Sequence, residues 1–175
     1  WRFNAWAKYP NYKNDQKIGA RMADTAGAQA QAPTIGKTRI VLEGGSIDSN
    51  GLGTLLTTEE CLLSTTQHRN PAMKRKDYDK IFRDYLGITN VIWLGSGIAG
   101  DDTHGHVDDL TRFVSPDTVV TAVESDPGDP NYEPLRDNVQ RLREAVDQNS
   151  HPLAIVELPM PGPVIFEGRR LPASY

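Results

Sequence analysis

A single cysteine in 175 residues leaves no internal disulfide and no thiol pair for redox work, so a reducing, cytoplasmic setting is expected. Long apolar runs are also missing. No stretch reaches the ~20 residues a membrane span needs, and no membrane partner is expected. Charge of one sign is scarce too: 19 Lys and Arg stand against 23 Asp and Glu, a net charge of −4, with the bases scattered among the acids. Such a surface offers no footprint for nucleic acid or an anionic lipid layer. Trp1 follows neither a Met nor a signal peptide, and Pro172-Ala173-Ser174-Tyr175 ends without a cap or polar tail. Residues 1–175 are therefore expected to be a single partial domain, an internal portion of a longer protein.

What is present begins with a repeat. Arg39 to Leu42 predicts a strand, Asp48-Ser49-Asn50-Gly51 a turn, and Thr54 to Thr57 a second strand. Asn70-Pro71 predicts a helix entry, Tyr78, Ile81, Phe82, Tyr85 and Leu86 follow at helical spacing, and Gly87 closes the helix. Asn90 to Leu94 is a third strand. The order then recurs: Val107 to Val114 as a strand, Thr118 to Val123 as another, and Asp129-Pro130 entering a second helix. Leu135, Val139, Leu142 and Val146 form one face of that helix, and Leu153 to Leu158 is the closing strand. Strand-strand-helix-strand thus appears twice, offset by about 65 residues, which predicts an α/β fold of packed modules. Ahead of the repeat, Arg2 to Trp6 reads as a strand and Lys13 to Ala32 as helical.

Asp101-Asp102-Thr103-His104-Gly105-His106-Val107-Asp108-Asp109 concentrates the chemistry. Two imidazoles and four carboxylates in nine residues suit a metal site or a proton-transfer site. His104-Gly105-His106-Val107-Asp108 resembles the H-x-H-x-D-H box of metallo-β-lactamase-like hydrolases. The box needs a third imidazole where Asp109 stands and further His ligands downstream, where only His151 occurs. No metal is therefore expected. The other chemistry is metal-free work on a cation. A guanidinium needs carboxylates in forked contact, an imidazole to carry protons and a nucleophile for its central carbon. His106 and Asp108, two apart on a predicted strand, share a face. Glu43, at the matching hairpin of the first module, would meet them if the modules pack about one axis. Gly44 and Gly45 would let backbone approach a ligand.

Five segments carry a closer likeness. W-R-F-N-A-W-A-K-Y from Trp1, L-E-G-G-S-I-D-S-N-G-L-G-T-L-L-T-T-E-E-C-L-L from Leu42, R-N-P from Arg69, D-Y-L-G-I-T-N-V-I-W-L from Asp84 and G-D-D-T-H-G-H-V-D-D from Gly100 resemble successive motifs of the agmatine deiminase family, relatives of the bacterial-type peptidylarginine deiminases. The resemblance implies the guanidino-group-modifying (pentein) fold, an α/β propeller of five repeats. It implies hydrolysis of agmatine to N-carbamoylputrescine and ammonia through a covalent cysteine intermediate, without cofactor. His106 takes the acid/base role, Asp108 the guanidinium contact, and Glu43 supports the imidazole or the substrate. The family's G-G-G-N-I-H-C segment, with its nucleophile, and its R-D-x-G-P motif do not occur here, so the chain resembles the middle of a member and on its own is expected to be inactive. Peptidyl-arginine as substrate, and a fragment that binds a cation without turnover, are the alternatives to agmatine hydrolysis, with a metallo-hydrolase behind both. A homo-oligomer is left open.

Cys61 does not replace the missing nucleophile. Acids at Glu59 and Glu60 and apolar neighbours disfavour a thiolate, and a buried core residue is expected. Asp101 reads as a turn residue, Asp109 as solvent-facing, His104 as a loop residue, and His68 and His151 as surface groups.

Overall fold

The computed structural model describes residues 1–173; Ser174 and Tyr175, part of the uncapped end noted above, lie outside the described residues. Along the chain run α1 (Ile18–Thr25), β1 (Thr34–Ile35), β2 (Thr38–Arg39), β3 (Asp48–Ser49), β4 (Thr54–Thr58), α2 (Glu59–Leu63), α3 (Arg75–Leu86), β5 (Asn90–Leu94), β6 (Thr111–Ser115), β7 (Thr118–Val123), α4 (Tyr132–Glu144), β8 (Ala154–Pro159), β9 (Ile165–Phe166) and β10 (Arg169–Arg170). The fold is mixed α/β, and the two modules are visible in the sheets. One sheet has the order β3-β4-β5 and the other β6-β7-β8. In each, the outer strand is antiparallel to the middle one and the last strand is parallel to it, reached through a helix.

All five residues of β4 are buried, which suits a middle strand covered on both faces. Its alternation divides the core. Leu55 joins Ile40, Leu62, Tyr78, Ile81 and Phe82 beneath α3. Leu56, on the opposite face, joins Ile92, Leu94, Val107, Val119, Leu135 and Leu142, a cluster drawn from both modules. Fully burying each of these side chains is worth about 1.5–3 kcal/mol, so the second cluster holds the modules together. Polar contacts reinforce the joint. Asn138 of α4 accepts from the Gly95 amide and donates to the Ser96 carbonyl.

Several expected elements differ in position or kind. Arg39 to Leu42 is not the partner of β4. That hairpin is made by β3, turning at Asn50, whose carboxamide accepts from the amides of Leu52 and Thr54. Ile40, Val41 and Leu42 are instead a buried extended segment. The Arg2 amide donates to the Ile40 carbonyl, and Asn70 bonds both backbone groups of Val41. Asn70 is therefore no helix cap. α3 begins at Arg75, where the Asp77 carboxylate accepts from the Lys74 amide. Gly87 closes that helix with φ +71°, as expected. Arg2 to Trp6 makes a single bridge and then a 3₁₀ turn over Ala5–Ala7, not a strand. Helix in the Lys13 to Ala32 stretch is confined to Asp15–Lys17 and α1. α4 starts after Asn131, and Val146 lies beyond its end. Val107–Asp109 is a 3₁₀ turn, not the start of a strand. No helix among the described residues is long and apolar enough to cross a membrane.

Candidate active site

Glu43 and His106 occupy equivalent places. Each is the residue before a 3₁₀ turn, Gly44–Ser46 or Val107–Asp109, that leads into the outer strand of its module. The two turns meet at the carboxyl ends of the central strands, where open α/β sheets gather ligands. Thr57 of β4 pins the first turn by donating to the Ser46 carbonyl at 2.8 Å. Asp101 builds the approach to the second. One carboxylate oxygen accepts from the Thr103 amide at 2.7 Å, the other from the amides of Gly105 and His106 at 2.8 and 3.2 Å. Asp101 is thus a turn residue, as read from the sequence, and it also aims His106. Positive φ at His104 and Gly105 completes the bend.

Nε2 of His106 lies 3.3 Å from Oε2 of Glu43, and Nδ1 lies 3.8 Å from Oδ1 of Asp108. All three residues named from the sequence therefore come together. The route differs from the one expected: His106 and Asp108 converge across a 3₁₀ turn and not along a strand face. Gly45 makes room. A Cβ there would stand 2.8 Å from both Asp108 oxygens and against Nδ1 of His106. The glycine admits two side chains of the site itself, where a ligand had been expected.

Arg69 was not singled out in the sequence beyond its R-N-P motif, which carries no signal of burial. Its Nε donates to both Glu43 oxygens at 3.2 Å, Nη1 to the Gln67 carbonyl at 3.2 Å, and Nη2 to the Thr103 carbonyl. Side-chain exposure rises along the row: 0% for Arg69, 6% for Glu43, 8% for His106, 35% for Asp108. The imidazole thus sits between a buried, cation-paired carboxylate and an open one.

Cys61 is buried in α2, and burial pushes its thiol up to about 12, which suits a core residue. One ligand atom each from Glu43, Cys61 and His106 fall within 4.8 Å of one another. A metal ion there would face the Arg69 guanidinium already seated on both Glu43 oxygens. His104 turns its ring to Glu60 at 3.3 Å and Ser64 at 3.1 Å, which separates the imidazoles that the H-x-H box would use together. Asp102, outside the site, accepts from Tyr9 at 2.6 Å; that bond, with Lys8 beside it, holds the carboxyl below its usual range.

The mixed α/β modules agree with what comparison with known proteins finds. The chain belongs to the Porphyromonas-type peptidyl-arginine deiminase family, whose profile matches residues 1–175. Among curated relatives, the agmatine deiminase of Pseudomonas syringae pv. syringae is 36% identical over 169 residues, which cover 94% of this chain and 44% of the relative. A solved structure of a cysteine-to-serine variant of C. jejuni agmatine deiminase with substrate bound superposes with a TM-score of 0.86 at 31% identity, covering 99% of this chain and 49% of that one. The agmatine deiminase of Enterococcus faecalis gives 0.85 at 32% identity, covering 99% and 50%. The chain spans about half the length of the curated relatives it matches.

Proposed function

We propose that the protein to which this chain belongs hydrolyses the guanidino group of agmatine, giving N-carbamoylputrescine and ammonia, and that residues 1–175 supply one wall of its active site. The observation that carries this is the His106 imidazole between buried Glu43 and open Asp108. Asp108 faces the guanidinium as a forked acceptor. A cysteine thiol from outside this chain gives its proton to neutral His106 as its sulfur adds to the guanidinium carbon; Cys61, the one cysteine here, is buried and pushed too high to serve. As the C–N bond breaks, protonated His106 gives its proton to the departing ammonia. Neutral His106 then takes a proton from water, whose oxygen attacks the same carbon. The C–S bond breaks and the carbamoyl product leaves. Two modules of a five-repeat propeller, forming one partial domain, fit the relatives' length, and the reaction belongs to the cytoplasm. Peptidyl-arginine would use the same wall, and the family's description favours testing it alongside.

The test is steady-state kinetics of the full-length protein on agmatine and on an arginine peptide, with a chelator present. Turnover of agmatine is expected. His106→Ala should lower kcat by about 10²–10⁴-fold with little change in KM, the mark of a group acting in the transition state. Asp108→Asn should impair KM as well as kcat, because an amide presents N–H groups to a permanent cation. Turnover of the peptide alone moves the assignment to peptidyl-arginine; activity lost to the chelator and restored by zinc removes the metal-free scheme.

A further inference from the structure

We propose that Arg69 is a positioning residue for proton transfer: its guanidinium fixes Glu43 against Nε2 of His106 and holds the His106 loop to the same anchor, leaving Nδ1 to carry protons. The assignment rests on the deimination chemistry above and deepens it. A wholly buried guanidinium is costly unless it is paired and hydrogen-bonded. Here one plane serves three acceptors on three segments: the Glu43 carboxylate, the Gln67 carbonyl and the Thr103 carbonyl. Thr103 lies on the loop that Asp101 aims at His106. The same fork therefore sets both ends of the Glu43–His106 contact. With both Glu43 oxygens drawn to Nε of Arg69, Oε2 still reaches Nε2 of His106 at 3.3 Å and accepts its proton there. A proton fixed on Nε2 leaves the lone pair on Nδ1, the nitrogen turned toward Asp108, where the row of side chains opens. Arg69 is the cation set among Glu43, Asp101 and Glu60 around Cys61, and His104 stands 3.3 Å from Glu60. Lysine supplies the charge but cannot reach three acceptors in one plane.

The experiment is a double-mutant cycle on the full-length protein with Glu43→Gln, Arg69→Met, Arg69→Lys and the doubles, reading kcat, KM and the His106 tautomer by long-range ¹H–¹⁵N correlation. Arg69→Met should lower kcat about 100-fold, and Arg69→Lys about 10-fold, with KM within about 3-fold. The doubles should fall little further than Glu43→Gln alone, because Arg69 acts through Glu43. The wild-type spectrum should show a single Nε2–H form that the Arg69 variants lose. Losses that multiply in the doubles, or an unchanged tautomer, would overturn the proposal. If Arg69→Met does not fold, the lysine cycle decides on the same criteria. A wild-type protein without agmatine turnover would remove the deimination scheme, while the tautomer still decides the role of Arg69.

Discussion

Gly45 has ordinary backbone angles, so alanine suits its conformation, yet the added methyl would displace His106 and Asp108. Fold and site should therefore separate in Gly45→Ala. The melting temperature should stay within a few degrees, while kcat/KM on agmatine falls by about 100-fold, the scale of an ångström-sized misplacement. Circular dichroism melts beside kinetics check this; equal loss of both would mean that the glycine serves the backbone. Cys61 gives a residue-scale effect of another kind. Burial raises its thiol from the usual 9.0 to about 12, and burial likewise raises the Tyr78 phenol from 10.0 to about 12. Both groups hold their protons longer folded than unfolded. Their contribution is complete below pH 9 and is lost as pH rises from about 9 toward 12, by up to about 1.4 kcal/mol per unit for each group. Urea midpoints at pH 8, 9.5 and 10.5 should fall in that order, and Cys61→Ala should flatten the first interval. Sequence made Cys61 legible as a core residue, since acids and apolar neighbours both point that way. It left Arg69 hidden, because burial of a cation depends on a carboxylate brought from a distant turn.

At the level of elements, Asn70 takes the place of a strand. Its carboxamide accepts from the Val41 amide at 2.9 Å, donates to the Val41 carbonyl at 2.8 Å, and meets the Tyr78 hydroxyl at 3.0 Å. Asn70→Ala should cost about 1–3 kcal/mol for each buried backbone group left unsatisfied, seen as a lower urea midpoint. An unchanged midpoint would mean that Val41 finds other partners. The same contact explains why Arg39 to Leu42 looked like a hairpin strand. Buried apolar residues in extended backbone give one pattern whether their backbone bonds go to a ladder or to a side chain. The strands β4, β5, β7 and β8 were legible because β-branched and apolar runs are bounded by turns, and α3 and α4 because their buried residues recur at helical spacing. The turns that carry Glu43 and His106 were not, since three-residue 3₁₀ turns leave no period to read.

Over the whole molecule, the repeat was the most legible feature, because it shows in the order of elements and needs no exact boundary. How the modules meet was not legible, since it depends on Leu56 and Leu135 sharing a cluster and on polar groups that pair only after packing. One such group lies far from the site. Gln148 accepts from Asn50 at 2.9 Å and from Thr54 at 2.7 Å, where β4 begins, while the site lies where β4 ends. Four strand rises, from Thr54 to Thr58, separate the two ends, about 13 Å. Gln148→Ala should lower kcat several-fold in the full-length protein although it touches no group of the site; unchanged kinetics would show that the apolar cluster alone sets the angle. Glu43 belongs to one module and His106 to the next, so their separation is a measure of tilt. Over a lever of about 13 Å, a tilt of about 4° moves its tip by nearly 1 Å. Contacts at the far end of the strands thus act as the fine adjustment of a proton's path, and slack there is magnified into a broken hydrogen bond at the tip.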